Sequence, residues 1–276
     1  MTMKHQEAPL DPSLGSPPDS SLDASPDPSR RAFLGIAAGA TAAVVAPGFV
    51  LQAQAVGNPR AERVSDVHRW GLLVDTNRCV DGCRACVEAC DQENGLDLQR
   101  KQPGQSEAEW DTQKAVWLRK VKLQDNLTGR VSNLPMMCQH CESPPCVDVC
   151  PTGASFKRAD GIVMVDRHTC IGCRYCMMAC PYKARSFIHE VVEDQLTRVP
   201  RGKGCVESCN LCVSRRDQGL DSTACADACT ALGHRAILFG DLKDPASAIS
   251  QALKTMPSRQ IREDLDLNTG VRYAGV

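Results

Sequence analysis

The chain has 276 residues, a formal charge of −1 and 17 cysteines, with 42% hydrophobic but only 4% aromatic residues. That length allows one or two domains, and the lack of a basic stripe with interleaved aromatics excludes a nucleic-acid footprint. So many cysteines with so few aromatics fit an interior that is partly inorganic, in which metal binding contributes folding free energy directly.

Residues 1–28 are rich in Pro, Ser and Asp and carry no core-forming pattern, as in a disordered leader. Ser29-Arg30-Arg31-Ala32-Phe33-Leu34 follows and resembles a twin-arginine (Tat) export signal. The apolar stretch from Gly35 to about Leu51 is interrupted by Gly39 and Pro47, which favours the central segment of a signal peptide over a membrane anchor. Ala53-Gln54-Ala55 is a small-x-small cleavage site, so residues 1–55 read as a Tat-type signal and the mature chain as starting at Val56. An uncleaved anchor is the alternative. The Tat route carries folded proteins, so thiol-rich sites can be completed in a reducing compartment before export.

Arg69 to Thr76 reads as a strand leading into a first cysteine group, Cys79, Cys83, Cys86 and Cys90. Residues 91–113 are polar and read as an insertion loop. Ala115 to Gln124 alternates, Asn126-Leu127-Thr128-Gly129 turns the chain, and Val131 begins a return strand, which predicts a β-hairpin. The second group is Cys138, Cys141, Cys146 and Cys150, stiffened by Pro144-Pro145. A strand–turn–strand unit over 155–165 leads to the third group, Cys170, Cys173, Cys176 and Cys180. Arg185 to Ile188 is a further short strand. The fourth group is Cys209, Cys212, Cys225 and Cys229, with twelve residues between its two pairs, and Ala236 to Phe239 is the strand after it. From Asp241 the cysteines stop. Asp244-Pro245 predicts the start of a helix running to about Met256, and the polar last twenty residues predict an extended tail over the surface of this or a partner subunit.

The third group has the spacing C-x2-C-x2-C-x3-C-P, in which three thiolates wrap one iron–sulfur cube and the fourth cysteine ligates the neighbouring one. Structural zinc or a disulfide knot are the alternatives, but zinc sites show two C-x2-C pairs across a long spacer. Sixteen of the 17 cysteines fall into four groups, leaving only Cys205, and sixteen ligands suit four [4Fe–4S] clusters. The exchange rule pairs the second and third groups. Cys138, Cys141, Cys146 and Cys180 would hold one cluster, and Cys170, Cys173, Cys176 and Cys150 the next. By elimination, Cys79, Cys83 and Cys86 join Cys229, and Cys209, Cys212 and Cys225 join Cys90. The fold expected is α+β: two nested ferredoxin-like units over 56–240, with short strands, short helices and β-hairpin insertions, then a C-terminal helix and tail over 241–276. No phosphate loop, dinucleotide fingerprint or nucleophile–base arrangement is present, so the chain reads as a non-catalytic electron-transfer subunit. His140 reads as packing near sulfur, not as a ligand. Arg174, Lys183 and Arg185 could offset cluster charge.

Several phrases carry a resemblance: Pro144-Pro145-Cys146 with Cys150-Pro151-Thr152, Asp160-Gly161-Ile162-Val163, Cys170-Ile171-Gly172-Cys173-Arg174-Tyr175-Cys176, Cys180-Pro181-Tyr182-Lys183-Ala184-Arg185-Ser186-Phe187 and Phe239-Gly240-Asp241-Leu242. From Trp70 to about Asp241 the chain resembles the iron–sulfur electron-transfer subunits of membrane-bound oxidoreductases, and within them the DsrO-like periplasmic subunits of sulfur metabolism. It departs in Thr230, where proline is common, and in Cys205, where an aliphatic residue is usual. The resemblance implies an integral quinone-interacting membrane subunit and a multihaem cytochrome c as partners, and a periplasmic, membrane-associated location. The same fold serving a molybdopterin reductase for polysulfide or tetrathionate is the alternative, and a structural zinc module a weaker one.

Overall fold

The computed structural model describes residues 64–276, so the leader, the paired arginines and the cleavage site lie outside the described residues. The organising element is β1 (Trp70–Asp75), whose run Trp-Gly-Leu-Leu-Val-Asp is buried almost throughout. A strand covered on both faces needs such a continuous apolar run. It pairs antiparallel with β8 (Ile237–Asp241), Leu72 opposite Phe239. On its other edge it pairs parallel with β10 (Val271–Ala274), Leu72 opposite Val271 and Val74 opposite Tyr273. β9 (Ser258–Arg259) closes a four-stranded sheet of order β8-β1-β10-β9.

The sheet's two faces do different work, as the two-residue side-chain period dictates. Leu73 and Ala274 face the C-terminal helix Ala248–Thr255, packing with its Ile249 and Leu253. Leu72, Val74, Val271 and Tyr273 face the main core, which contains Cys86, Cys90, Cys225 and Cys229.

The C-terminal segment therefore departs from the expected surface tail. Val271 and Tyr273 are 0% exposed, and the Tyr273 hydroxyl donates to Pro135 O at 3.1 Å while accepting from Gln139 Nε2 at 3.1 Å. Four strand residues inside a polar twenty-residue stretch leave little local signal, and their partner strand lies some two hundred residues away. The β8–β1–β10 sheet also runs across the boundary expected at 240/241. The C-terminal helix starts later than expected: Ser247 is its N-cap, with Oγ accepting from Ser250 N at 3.2 Å, while Asp244 caps only the preceding turn through Ala246 N at 2.8 Å.

Helix α1 (Ala85–Glu93) follows β1. Residues 91–113 are not a plain loop: α2 (Glu107–Gln113) lies within them, started by a capping box in which Ser106 and Glu109 bond each other's backbone N–H. Ser106-x-x-Glu109 was the sequence signal for it. The expected hairpin is β2 (Arg119–Gln124) with β3 (Val131–Met136), Val121 opposite Leu134. It begins later than the alternation suggested, because Ala115, Trp117 and Leu118 are buried in the core. The 155–165 unit is β4 (Ser155–Lys157) with β5 (Val163–Val165). β6 (Arg185–Phe187) pairs with β7 (Val206–Ser208).

The remaining helices are α3 (Pro145–Asp148), α4 (Tyr175–Ala179), α5 (Val213–Asp217) and α6 (Ala224–Ala231), with Ala248–Thr255 as α7. α1 packs on α6 and α3 packs on α4. The fold is thus α+β with two ferredoxin-like units, and the packing of α1 on α6 around the α3–α4 pair sets one inside the other. Among the described residues no helix is long and apolar enough to cross a membrane.

Candidate metal centres

Each cysteine group spends its last two cysteines four residues apart: Cys86 and Cys90 on α1, Cys225 and Cys229 on α6, Cys146 on α3 with Cys150 beyond it, Cys176 on α4 with Cys180 beyond it. Residues i and i+4 lie one above the other on a helix face. One thiol therefore faces the loop in front of the helix, and the other reaches past its far end.

The sixteen side chains gather into four sets. Cys79, Cys83, Cys86 and Cys229 line one cavity (A), together with Lys120 and Ile237. Cys90, Cys209, Cys212 and Cys225 line a second (B). Cys138, Cys141, Cys146 and Cys180 act on one another's charges as near neighbours (C). Cys150, Cys170, Cys173 and Cys176 line a fourth cavity (D).

The charges acting across sets give their order. Cys225 feels Cys86, which joins B to A. Cys209 feels Cys138, which joins B to C. Cys176 feels Cys146, which joins D to C. The row is A–B–C–D. Its ends reach solvent, since Cys173 is exposed and Cys79, Cys83, Cys150 and Cys170 are half-buried; B and C are buried except for half-buried Cys209.

Burial dominates the thiol chemistry. It pushes Cys86 up to about 11 and Cys138, Cys141 and Cys225 up to about 12, with neighbouring thiolates adding to the rise in Cys86, Cys141 and Cys225. Each of these four thiols is therefore neutral unless a cation compensates it, and metal binding must displace its proton. Cys150 behaves differently. Burial raises it, but hydrogen bonds from Ser155 N–H (3.3 Å) and the Thr152 hydroxyl (3.7 Å) outweigh that, and it sits below the ordinary thiol value.

The donors left over fit sulfide-rich clusters. His140 is buried, and burial holds it neutral, down at about 3; its Nδ1 accepts from Val163 N–H at 3.0 Å, which places the proton on Nε2, an atom with no protein partner. The Tyr182 hydroxyl and Arg185 Nε and Nη1 are likewise buried and unpartnered, and Tyr182 and Arg185 act on set C. Buried donors are normally satisfied, and cluster sulfur is an acceptor they could meet. Among the described residues no three His, Cys, Asp or Glu side chains converge on one point as a single metal ion requires, whereas four zinc thiolates would crowd within about 2.3 Å of one ion.

Local backbone serves the same end. Gly172 holds φ +71°, and a Cβ there would meet Gly204 O at 2.2 Å, so the loop around D can lie against its neighbour only with glycine. Cys212 and Arg174 take left-handed conformations at the starts of α5 and α4.

Sequence reading did not find Lys120, whose Nζ donates to Val80 O at 2.7 Å and Cys83 O at 2.8 Å and lies beside Cys79. Nothing local distinguished it from Lys122 on the same exposed hairpin. Nor did it find Asn94, which donates to Cys90 O at 3.0 Å and Sγ at 3.7 Å; its position four residues after Cys90 was the available signal. Of the three basic residues singled out, Arg185 alone is buried. Arg174 is exposed and stacks on Phe187 at 3.9 Å. Lys183 is exposed and contributes its backbone carbonyl to Arg119. Cys205 lines none of the cavities; its thiol donates to Arg167 O at 3.2 Å.

Two models described as a 4Fe–4S dicluster domain match this chain, over residues 78–154 and 130–241. The Hdr-like menaquinol oxidoreductase iron–sulfur subunit 1 of Archaeoglobus fulgidus is 38% identical, covering 89% of this chain and 97% of its own. The B subunit of tetrathionate reductase from Salmonella typhimurium is 36% identical over 82% of this chain and 79% of its own. The B polypeptide of polysulfide reductase from Wolinella succinogenes is 34% identical over 71% and 89%.

Proposed function

We propose, on the premise that this protein belongs to the 4Fe–4S dicluster family of oxidoreductase iron–sulfur subunits, that it conducts electrons along the row A–B–C–D. The dicluster domains and the cysteine spacing fit four [4Fe–4S] clusters. Such clusters are one-electron carriers when bound. The observation that carries the proposal is the row itself: four quartets of cysteines, buried in the middle and open at both ends. The ligand assignment follows the four sets: Cys79, Cys83, Cys86 and Cys229 at A; Cys90, Cys209, Cys212 and Cys225 at B; Cys138, Cys141, Cys146 and Cys180 at C; Cys150, Cys170, Cys173 and Cys176 at D.

The residues around the sets have definable roles. Lys120 sets a cation at A. Leu72, Leu118, Met137 and Leu211 line B and keep water out. Ser155 and Thr152 stabilise the Cys150 thiolate at D. In this reading donor and acceptor are partner proteins.

The finer setting is a DsrO-like periplasmic subunit, exported through Tat, that exchanges electrons with an integral quinone-interacting subunit and a multihaem cytochrome c in dissimilatory sulfur metabolism. The match over 89% of this chain to a menaquinol oxidoreductase subunit supports the quinone side, and Arg30-Arg31 supports the export route. A second reading, the electron-transfer subunit of a molybdopterin polysulfide or tetrathionate reductase, is favoured by the matches to those two reductases' B components. Purification from gently solubilised membranes separates them: a haem c protein and a multi-span subunit support the first, a large molybdenum protein the second. In the same preparation about four irons per cysteine quartet are expected from cubane stoichiometry. Saturation at two clusters sinks the four-site row.

A further inference from the structure

We propose that the Arg185 guanidinium is a single cation shared by the clusters at C and D, raising both reduction potentials together. The proposal rests on the reading that these two cysteine sets hold clusters. Arg185 opens β6 and is 6% exposed. Its Nη2 donates to Cys146 Sγ at 3.0 Å and to Ser155 Oγ at 2.7 Å. Its Nε and Nη1 have no protein acceptor. The guanidinium's charge acts on Cys146 and Cys138 of C and on Cys176 of D, so it stands between the two sets. Ser155 holds it there and ties the same spot to D, since the Ser155 N–H donates to Cys150 Sγ at 3.3 Å.

A guanidinium suits this place. It carries five donors in a rigid fork, so it can serve two acceptors in different directions, and it does not lose its proton. Each reduction adds one negative charge to a cluster, and a fixed buried cation stabilises that added charge more strongly than an exposed one would. Arg174 and Lys183 flank the same sets but are exposed, so solvent screens them. Lys120 is the corresponding cation at A, where it contacts only that set's loop.

The test is an EPR-monitored redox titration of the intact four-cluster protein, with iron and acid-labile sulfide measured alongside. In Arg185→Gln two of the four midpoint potentials should fall, each by a tenfold or larger change in the reduction equilibrium, ~59 mV for one electron. Lys120→Met should lower one potential, different from those two. A four-cluster Arg185→Gln protein in which no potential or only one moves overturns the proposal. If Arg185→Gln holds fewer clusters, Arg185→Lys decides: the charge is kept but the fork is lost, and at least one of the same two potentials should fall. Four unchanged potentials in Arg185→Lys, or cluster loss in both variants, overturns the shared-cation role. A wild-type protein with fewer than four clusters would instead refute the ligand reading on which it stands.

Discussion

The outer unit, built from the first and fourth cysteine groups, and the inner unit, built from the second and third, hold their sites by different means. The outer unit has helices of nine and eight residues and a four-stranded sheet. The inner unit has helices of four and five residues and a three-residue hairpin, with β6 borrowing β7 from beyond the third group. Cysteines make up five of the nine buried residues in the inner core, against four of 25 in the core that includes the outer unit. Isolated helices this short and isolated hairpins are marginal in water. The inner unit must therefore draw its stability from the cluster–thiolate bonds, while the outer one has a polypeptide core of its own. The outer groups depart furthest from the C-x2-C-x2-C-x3-C pitch, with three residues between Cys79 and Cys83 and twelve between Cys212 and Cys225, while the inner unit departs only by the four residues between Cys141 and Cys146.

The largest expected effect comes from removing the sheet's inner strand. Truncation after Met256 deletes β9 and β10 and exposes the buried faces of Leu72 and Val74. Burying each such side chain is worth about 1.5–3 kcal/mol, and Val271 and Tyr273 are lost as well, so the sum rivals the whole stability of a domain. The truncated chain should fail to accumulate in folded form, or should lose sites A and B. Full iron content with an unchanged melting temperature would break the comparison.

Stripping the clusters from the full-length protein should separate the units instead of unfolding both. Hydrogen exchange should find β8, β1 and β10 still protected, and β4, β5, α3 and α4 open. Uniform loss of protection would show that the outer unit depends on metal as much as the inner one. The stripped protein should also lose stability as pH rises. The outer-unit thiols Cys86 and Cys225 have folded values raised from 9.0 to about 11 and about 12, so their contribution is present below about pH 9 and disappears as pH climbs through the folded values.

The smallest effect tests whether the outer unit has its own polar fastenings. Asp241, at the end of β8, accepts from His68 Nδ1 at 2.6 Å, Arg69 N at 2.9 Å and Lys243 N at 2.9 Å. Burial raises its carboxyl, but these donors outweigh burial and hold it below its ordinary 3.8. A depressed folded value gives stability that is present above about pH 4 and is lost as pH falls through it. Asp241→Asn should cost about 1–3 kcal/mol at pH 7, as hydrogen bonds to a buried charged group do, and the difference from wild type should shrink toward pH 3. A pH-independent difference would assign the loss to packing.

The cysteine spacing specified the four groups and set Cys205 apart from them; alternation and turn residues specified the two hairpins, the first of which starts at Arg119 and not at Ala115. These are local features, determined by covalent distance along a loop or by one turn of helix. The capping box at Ser106 was equally local and readable. Only the tertiary structure decided that the polar C-terminal segment supplies an inner strand beside β1, that Arg185 is buried while Arg174 and Lys183 face solvent, and that Lys120 closes over the first loop. Each of these depends on which distant surfaces cover one another. Pairing between strands some two hundred residues apart, and the burial of one basic residue among three alike, arise from the collapse of the whole chain, and the residues concerned look the same in sequence before that collapse.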